Sequence, residues 1–256
     1  MFAETIAKEE LEVMELASFK GRIQVIESEG EDFDKAVRYL SSRKVLGFDT
    51  ETRPCFSSSQ PRYGVSLLQL SGASRAYLFR IKSLGMHGKL CAILANPKIV
   101  KVGAAVHDDI KGLQKYRHFE PASFVDLQRI VGEYGIRDKS VKKMAAIILG
   151  CKISKTQQLS NCEADELSEA QKMYAATDAW ICTEMYRKLC SSEKHPLTQE
   201  QLNPVQNQPS LQVQEKKKSE GAKETGVQNP APKKKRRPRK KHPRRVDDKA
   251  LQQDKK

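Results

Sequence analysis

Apolar positions along the chain switch between a period of two and a period near 3.6, and the switches outline alternating strands and helices. Val45-Leu46-Gly47-Phe48 is a continuous apolar run that predicts a buried strand ending in Asp49. Ile23–Ile26, Val65–Leu70, Ala76–Phe79 and Ile99–Val102 predict four more strands, and Ser71-Gly72-Ala73-Ser74 supplies the turn between the middle two. Helical spacing predicts Asp32–Leu40, with Ala36, Val37 and Leu40 as its apolar stripe and Asp32 as its N-cap. A helix over Leu90–Leu94 must stop before Asn96-Pro97, because the residue preceding proline disfavours helix. Ile110–Tyr116 and Leu127–Tyr134 read as further helices. Ser140 caps one that runs to Leu149 and ends at Gly150, and Ser168 opens a long one, Glu169–Leu189. Cys55–Gly64 reads as a polar loop, and residues before about Phe19 as a polar lead-in with room for one short helix.

Composition changes the picture at the C-terminal end. Apolar residues make up only 38 % of the 256 residues, which suits a globular body with an appendage that adds no core. From Leu197 to Lys256 there is no Phe, Trp or Tyr, and 17 Lys and Arg face 7 Asp and Glu, so +10 of the formal +14 charge lies there. Such a segment cannot bury enough apolar area to offset its ordering entropy. The chain therefore divides into a lead-in (1–20), a folded domain (21–192) and a disordered Lys/Arg-rich tail (193–256). Six cysteines without a C-x-x-C pair fit thiols in a reducing compartment, and no stretch reads as a signal peptide or a membrane span. A cytoplasmic protein is expected.

The candidate chemistry is acidic. Asp49 and Glu51 are two residues apart at a strand end, so their side chains share a face about 6.5–7 Å apart along the chain. That spacing suits carboxylates flanking a pair of divalent ions about 3.5–4 Å apart, and hard oxygen ligands select Mg²⁺ or Mn²⁺ over zinc. By themselves, acids at a strand end are ordinary solvated residues. Tyr174 and Asp178, in Met173-Tyr174-Ala175-Ala176-Thr177-Asp178, add a second feature: at i and i+4 they share one helix face, where the Asp supplies a further ligand and the phenol holds a water. A middle acid follows the strand that ends at Gly103. Asp108 and Asp109 compete for that role, the other being left as a helix cap. His107 has no Cys or His partner at zinc spacing, and Asp126 and Asp138 read as turn or cap acids. Trp180 reads as core packing.

Together these residues resemble the DEDD superfamily of 3′–5′ exonucleases, in particular the ribonuclease D branch, to which the exonuclease domain of the Werner-syndrome helicase belongs. The likeness runs from about Ile23 to Leu189. Its first motif is Phe48-Asp49-Thr50-Glu51 and its third, the most specific, is Tyr174-x-x-x-Asp178. Leu67-Leu68-Gln69-Leu70 and Tyr77-Leu78-Phe79 look like the family's second and third strands. Laying Asp109-Ile110-Lys111-Gly112-Leu113 on the second motif favours Asp109 over Asp108. Met173 stands where a sister branch has His, so the chain looks like the tyrosine subtype. It departs from its relatives at Ser160-Asn161-Cys162, where they carry Ser-x-Trp, a loss of packing but not of a metal ligand.

The resemblance implies an RNase H-like fold, a mixed five-stranded sheet with helices on both sides. It implies hydrolysis of phosphodiester bonds at single-stranded 3′ ends of DNA or RNA, with release of nucleoside 5′-monophosphates. Two Mg²⁺ or Mn²⁺ ions would serve as cofactors. Asp49, Glu51 and Asp178 would hold the first, Asp49 and Asp109 the second, and Tyr174 would orient the attacking water. Thr50 and Lys155 would lie near the substrate. The rival is a silent nucleic-acid-binding module on the same fold, whose signature is a missing acid. In the tail, the dense run Lys233, Lys234, Lys235, Arg236, Arg237, Arg239, Lys240 and Lys241 suits non-specific phosphate binding, with a nuclear import signal, and so a nuclear location, as the alternative.

Overall fold

A computed structural model describes residues 1–55, 57, 63–198 and 201. The basic run and nearly all of the expected tail, with much of the 55–64 loop, lie outside the described residues. The described residues all fall in one compact unit. In chain order its elements are α1 (Lys8–Val13), β1 (Arg22–Ile26), α2 (Glu31–Ser41), β2 (Val45–Thr52), β3 (Val65–Ser71), β4 (Arg75–Arg80), α3 (Ile81–Leu84) and α4 (Gly88–Leu94). They continue with β5 (Val100–Gly103), α5 (Val106–Gln114), β6 (Phe124–Asp126), α6 (Leu127–Ile130), α7 (Val141–Leu149) and α8 (Glu169–Cys190).

The strands form one mixed sheet in the order β1-β4-β3-β2-β5-β6. β3 is antiparallel to both neighbours, and the pairs β1–β4, β2–β5 and β5–β6 are parallel. Every residue of β3 is buried, as expected of a central strand covered on both faces. On one face, Phe48, Leu68, Leu70, Tyr77 and Phe79 pack with Phe33 and Leu40 of α2, Leu90 and Leu94 of α4, and Leu113 of α5. On the other, Val102 packs with Met144 and Ile148 of α7 and with Ile181, Cys182 and Met185 of α8. Trp180 is partly buried there, its ring 6.0 Å from Phe19, in keeping with a packing role. Among the described residues no helix is long and apolar enough to cross a membrane.

The structure corrects four sequence expectations. The sheet has six strands, not five. β6 is three residues long and too short to show a period, but it pairs in register with β5. Helix α2 starts at Glu31, not after an Asp32 cap: Gly30, at φ 146°, takes the N-cap position with no side-chain cap, and the Asp34 N–H bonds its carbonyl at 3.0 Å. That backbone conformation is open to glycine and strained for aspartate. Helix α5 begins at Val106, four residues before the expected Ile110, so Asp108 and Asp109 both lie in its first turn and neither caps it. The cap residue is Ala105, in the left-handed region at φ 58°, with its N–H bonded to Asp126 Oδ1 at 3.0 Å. Finally, the N-terminal lead-in is docked, not merely polar: Ile6 and Leu11 are buried against Ala146 of α7.

Other local expectations hold. Ser140 accepts from the Lys143 N–H at 3.3 Å, and Gly150 closes α7 in the left-handed conformation. Ser168 and Gln171 form a reciprocal capping box at the start of α8. Asp126 caps α6 and Asp138 pairs with Lys143. Glu193–Thr198, at the head of the expected tail, run along the body, where the Leu197 N–H donates to the Gly132 carbonyl at 3.0 Å and Lys194 pairs with Glu133.

Candidate active site

The site forms where the end of β2 passes beneath α8. The two elements approach closely because Gly47 has no side chain: a Cβ there would collide with the Ala179 carbonyl oxygen. Gly47, Asp49 and Glu51 share one strand face, so the glycine that lets the helix down also sets both acids under it. Asp178 precedes Ala179 and is thereby brought to them. Ligand oxygens of Asp49, Glu51 and Asp178, all partly buried, lie within 4.8 Å of one another.

Asp109 joins from the other side of β2. Thr50 points away from Asp49 and Glu51, and its hydroxyl donates to Asp109 Oδ1 at 2.5 Å, tying α5 to the strand end. Asp126 of β6 fixes the start of that helix by accepting from the Ala105 N–H at 3.0 Å, and it caps α6 by accepting from the Gln128 N–H at 3.0 Å. Asp108 is exposed.

The electrostatics are those of buried, crowded acids. Burial, and then the neighbouring Asp178, Glu51 and Asp109, holds the Asp49 carboxyl well above the usual carboxylate range. Burial, followed by Asp178 and Asp109, pushes Glu51 up to about 8. Burial raises Asp109 to about 6 against the opposing Thr50 hydrogen bond. Asp178 is raised to about 6 by burial, moderated by its hydrogen bond with Tyr174 and by the charge of Lys155. Burial and the same acids raise the Tyr174 phenol, so it stays protonated and donates. Asp178 Oδ1 is buried and, among the described residues, has no hydrogen-bond partner. Converging carboxylates with a partnerless oxygen fit a hard divalent cation, which would replace proton binding by charge neutralisation.

The structure thus gathers Asp49, Glu51 and Asp178 in one cluster with Tyr174 on Asp178. Asp109, outside that cluster and held by Thr50, is near enough to raise Asp49 and Glu51, and exposed Lys155 lies near Asp178. Sequence reasoning missed part of the surroundings. Cys162, at the relatives' Trp position, is buried close enough to Glu51 for that acid to raise its thiol, after burial itself. Next to it, Glu163 gathers Ser66 at 3.3 Å, Lys82 at 3.6 Å and Arg53 at 3.7 Å. The Arg53 guanidinium lies over the Tyr63 ring, 4.8 Å from its centre. Arg53 stands two residues beyond Glu51, a spacing visible in the sequence. On the other side of Tyr174, Leu16, Ser18, Thr156, Met173 and Thr177 line a hollow of about 260 Å³.

Fold and site define an α/β domain that gathers acids around a place for hard cations at a strand end. Comparison with known proteins agrees. The sequence model of the 3′–5′ exonuclease family matches residues 24–192. The chain is 32 % identical over 156 residues to the mouse bifunctional 3′-5′ exonuclease/ATP-dependent helicase WRN, a match covering 59 % of this chain and 11 % of that protein. Among solved structures, Escherichia coli RNase D superposes with a TM-score of 0.59 at 22 % identity, covering 66 % of this chain and 44 % of the other. Trypanosoma brucei RNase D in complex with RNA U12 gives 0.60 at 17 % identity, covering 68 % and 64 %. These last two likenesses speak for the fold. The chain belongs to the 3′–5′ exonuclease family of the DEDD superfamily.

Proposed function

We propose that this chain removes nucleotides from single-stranded 3′ ends of nucleic acid by two-cation hydrolysis, releasing nucleoside 5′-monophosphates. The observation that carries the reading is the convergence of Asp49, Glu51 and Asp178 beside Tyr174 and Asp109. Asp49, Glu51 and Asp178 would hold one Mg²⁺ or Mn²⁺, and Asp49 with Asp109 a second. Such ions supply an acidified water and charge stabilisation of the leaving 3′ oxygen. Tyr174, kept neutral, orients the attacking water by its hydroxyl. The water oxygen bonds to phosphorus as the bond from phosphorus to the 3′ oxygen breaks, and that oxygen takes up a proton. Lys155 offers a cation to the phosphate. The apolar hollow with its hydroxyl rim beside Tyr174 suits a nucleobase, and the basic run from Lys233 suits the strand's backbone.

The test is digestion of 5′-labelled DNA and RNA oligomers with Mg²⁺, Mn²⁺ or EDTA. Stepwise shortening from the 3′ end is expected with metal and none with EDTA. Asp49→Ala should abolish release while keeping the fold by circular dichroism. Normal digestion by that variant would sink the reading. Removing residues 209–256 should weaken binding at low salt and flatten its salt dependence while leaving turnover at saturation unchanged. Unaltered affinity at low salt would exclude a phosphate-binding tail.

A further inference from the structure

Gln69 lies in the middle of β3, fully buried, and among the described residues neither its amide nitrogen nor its amide oxygen has a hydrogen-bond partner. Native folds rarely leave both ends of a buried amide unmatched, so this amide calls for a partner within its reach. The register says what. Gln69 stands opposite Asp49 on β2 and opposite Leu78 on β4. Directly opposed residues of an antiparallel pair share a face, with Cβ atoms about 4.5–5.5 Å apart, within reach of a glutamine side chain. Its same-face neighbours along β3 are Leu67 and Ser71. Leu67 and Leu78 pack in an apolar cluster with Ala175 of α8, and the Ser71 hydroxyl is spent on the Gly72 carbonyl at 2.9 Å. Asp49 is the carboxylate directly opposite the amide.

We propose that Gln69 is a positioning residue for the acid cluster: its amide N–H donates to the Asp49 carboxylate, directly or through one enclosed water, when the cluster holds its cations, and so fixes which Asp49 oxygen faces them. This rests on the reading of the cluster as a cation site. Ligating carboxylates are held in this way by hydrogen bonds from behind, and loss of such a partner typically weakens metal affinity 10- to 100-fold. Asp49 is the residue for which such control matters most, since it would serve both ions.

The experiment measures Mn²⁺ binding by calorimetry, without substrate, to the full chain, to Gln69→Met and to Gln69→Asn. Methionine keeps the volume and removes the amide, while asparagine keeps the amide but withdraws it. Gln69→Met should melt no lower than the parent, since it removes an unmatched polar group, yet bind Mn²⁺ about tenfold or more weakly. Gln69→Asn should fall between. In the nuclease assay the Mg²⁺ concentration for half-maximal rate should rise while the rate at saturating Mg²⁺ stays close to the parent's. Parent-like Mn²⁺ affinity in both variants would overturn the proposal and leave the cluster's role standing. Failure of the parent chain itself to bind Mn²⁺ would overturn both.

Discussion

Lys101 and the acid cluster stand on neighbouring strands of one sheet, and the fold treats their charges in opposite ways. Lys101 is completely buried on β5, but its ammonium donates to the Asn96 and Ile99 carbonyls, each at 2.8 Å, and lies 5.2 Å from the centre of the Phe124 ring. Burial brings its pKa down only to about 8, so it remains largely charged at neutral pH. On β2, Asp49 and Glu51 meet Asp178, whose charge adds to the cost of burying both. A structural charge is given its partners by the chain. A charge that must bind something from outside is left wanting them, and the stability lost there is the driving force for the ligand.

The strongest way to break this contrast is to separate the acids. Gly47→Ala should push α8 away from β2 by collision with the Ala179 carbonyl. We expect overpacking of about 1–3 kcal/mol and, from a displacement of about 1 Å, nuclease activity at least ~100-fold lower. Full activity would mean that the close approach does not set the site. The next test strips the satisfied charge. Lys101→Met leaves two main-chain carbonyls unmatched, at about 1–3 kcal/mol each, offset by relief of a buried charge. A net loss of about 2 kcal/mol is expected, read as a melting temperature lower by roughly 2–4 °C per kcal/mol, with turnover unchanged at permissive temperature. A stability gain would erase the distinction between the two regions.

The mildest test uses pH. Folded-state values of about 8 for Glu51 and about 6 for Asp109 and Asp178 lie above the ordinary carboxylate values. The metal-free fold therefore has this stability in full at low pH and loses it as pH rises from about 4 through about 8. Lys101, lowered from 10.5 to about 8, has its unequal protonation between those two values and adds little slope below them. In EDTA the melting temperature should fall by a few degrees between pH 5 and 7.5, and saturating Mn²⁺ should remove or reverse the fall. Matching curves with and without Mn²⁺ would count against a cation site.

Much of this was legible in the chain itself because short-range rules carried it. Asp49 and Glu51 at a strand end, Tyr174 and Asp178 one turn apart, and the caps Ser140 and Ser168 are all fixed by spacings of two to four residues. What escaped depended on tertiary register. β6 has too few residues to show a period, yet it seats α5 through Asp126 and so places Asp109. The start of α2 turned on the backbone of Gly30, not on the more obvious Asp32. Gln69 is one polar residue in an apolar strand, and only pairing sets it opposite Asp49. Cys162 was noticed as a missing Trp, but its nearness to Glu51 required the loop before α8 to fold back, where Gln171 ties it by donating to Ser160 at 3.1 Å and to the Asn161 carbonyl at 3.0 Å.

Thr177, the residue just before Asp178, accepts the main-chain N–H of Phe19 at 3.1 Å, while the Ala17 N–H reaches the Lys152 carbonyl at 2.8 Å. The amino-terminal arm is thus latched to the helical turn that presents the last acid. Trimming the chain back to the family boundary near residue 24, an attractive shortcut for making a minimal enzyme, would unfasten that latch and expose the underside of the turn to water.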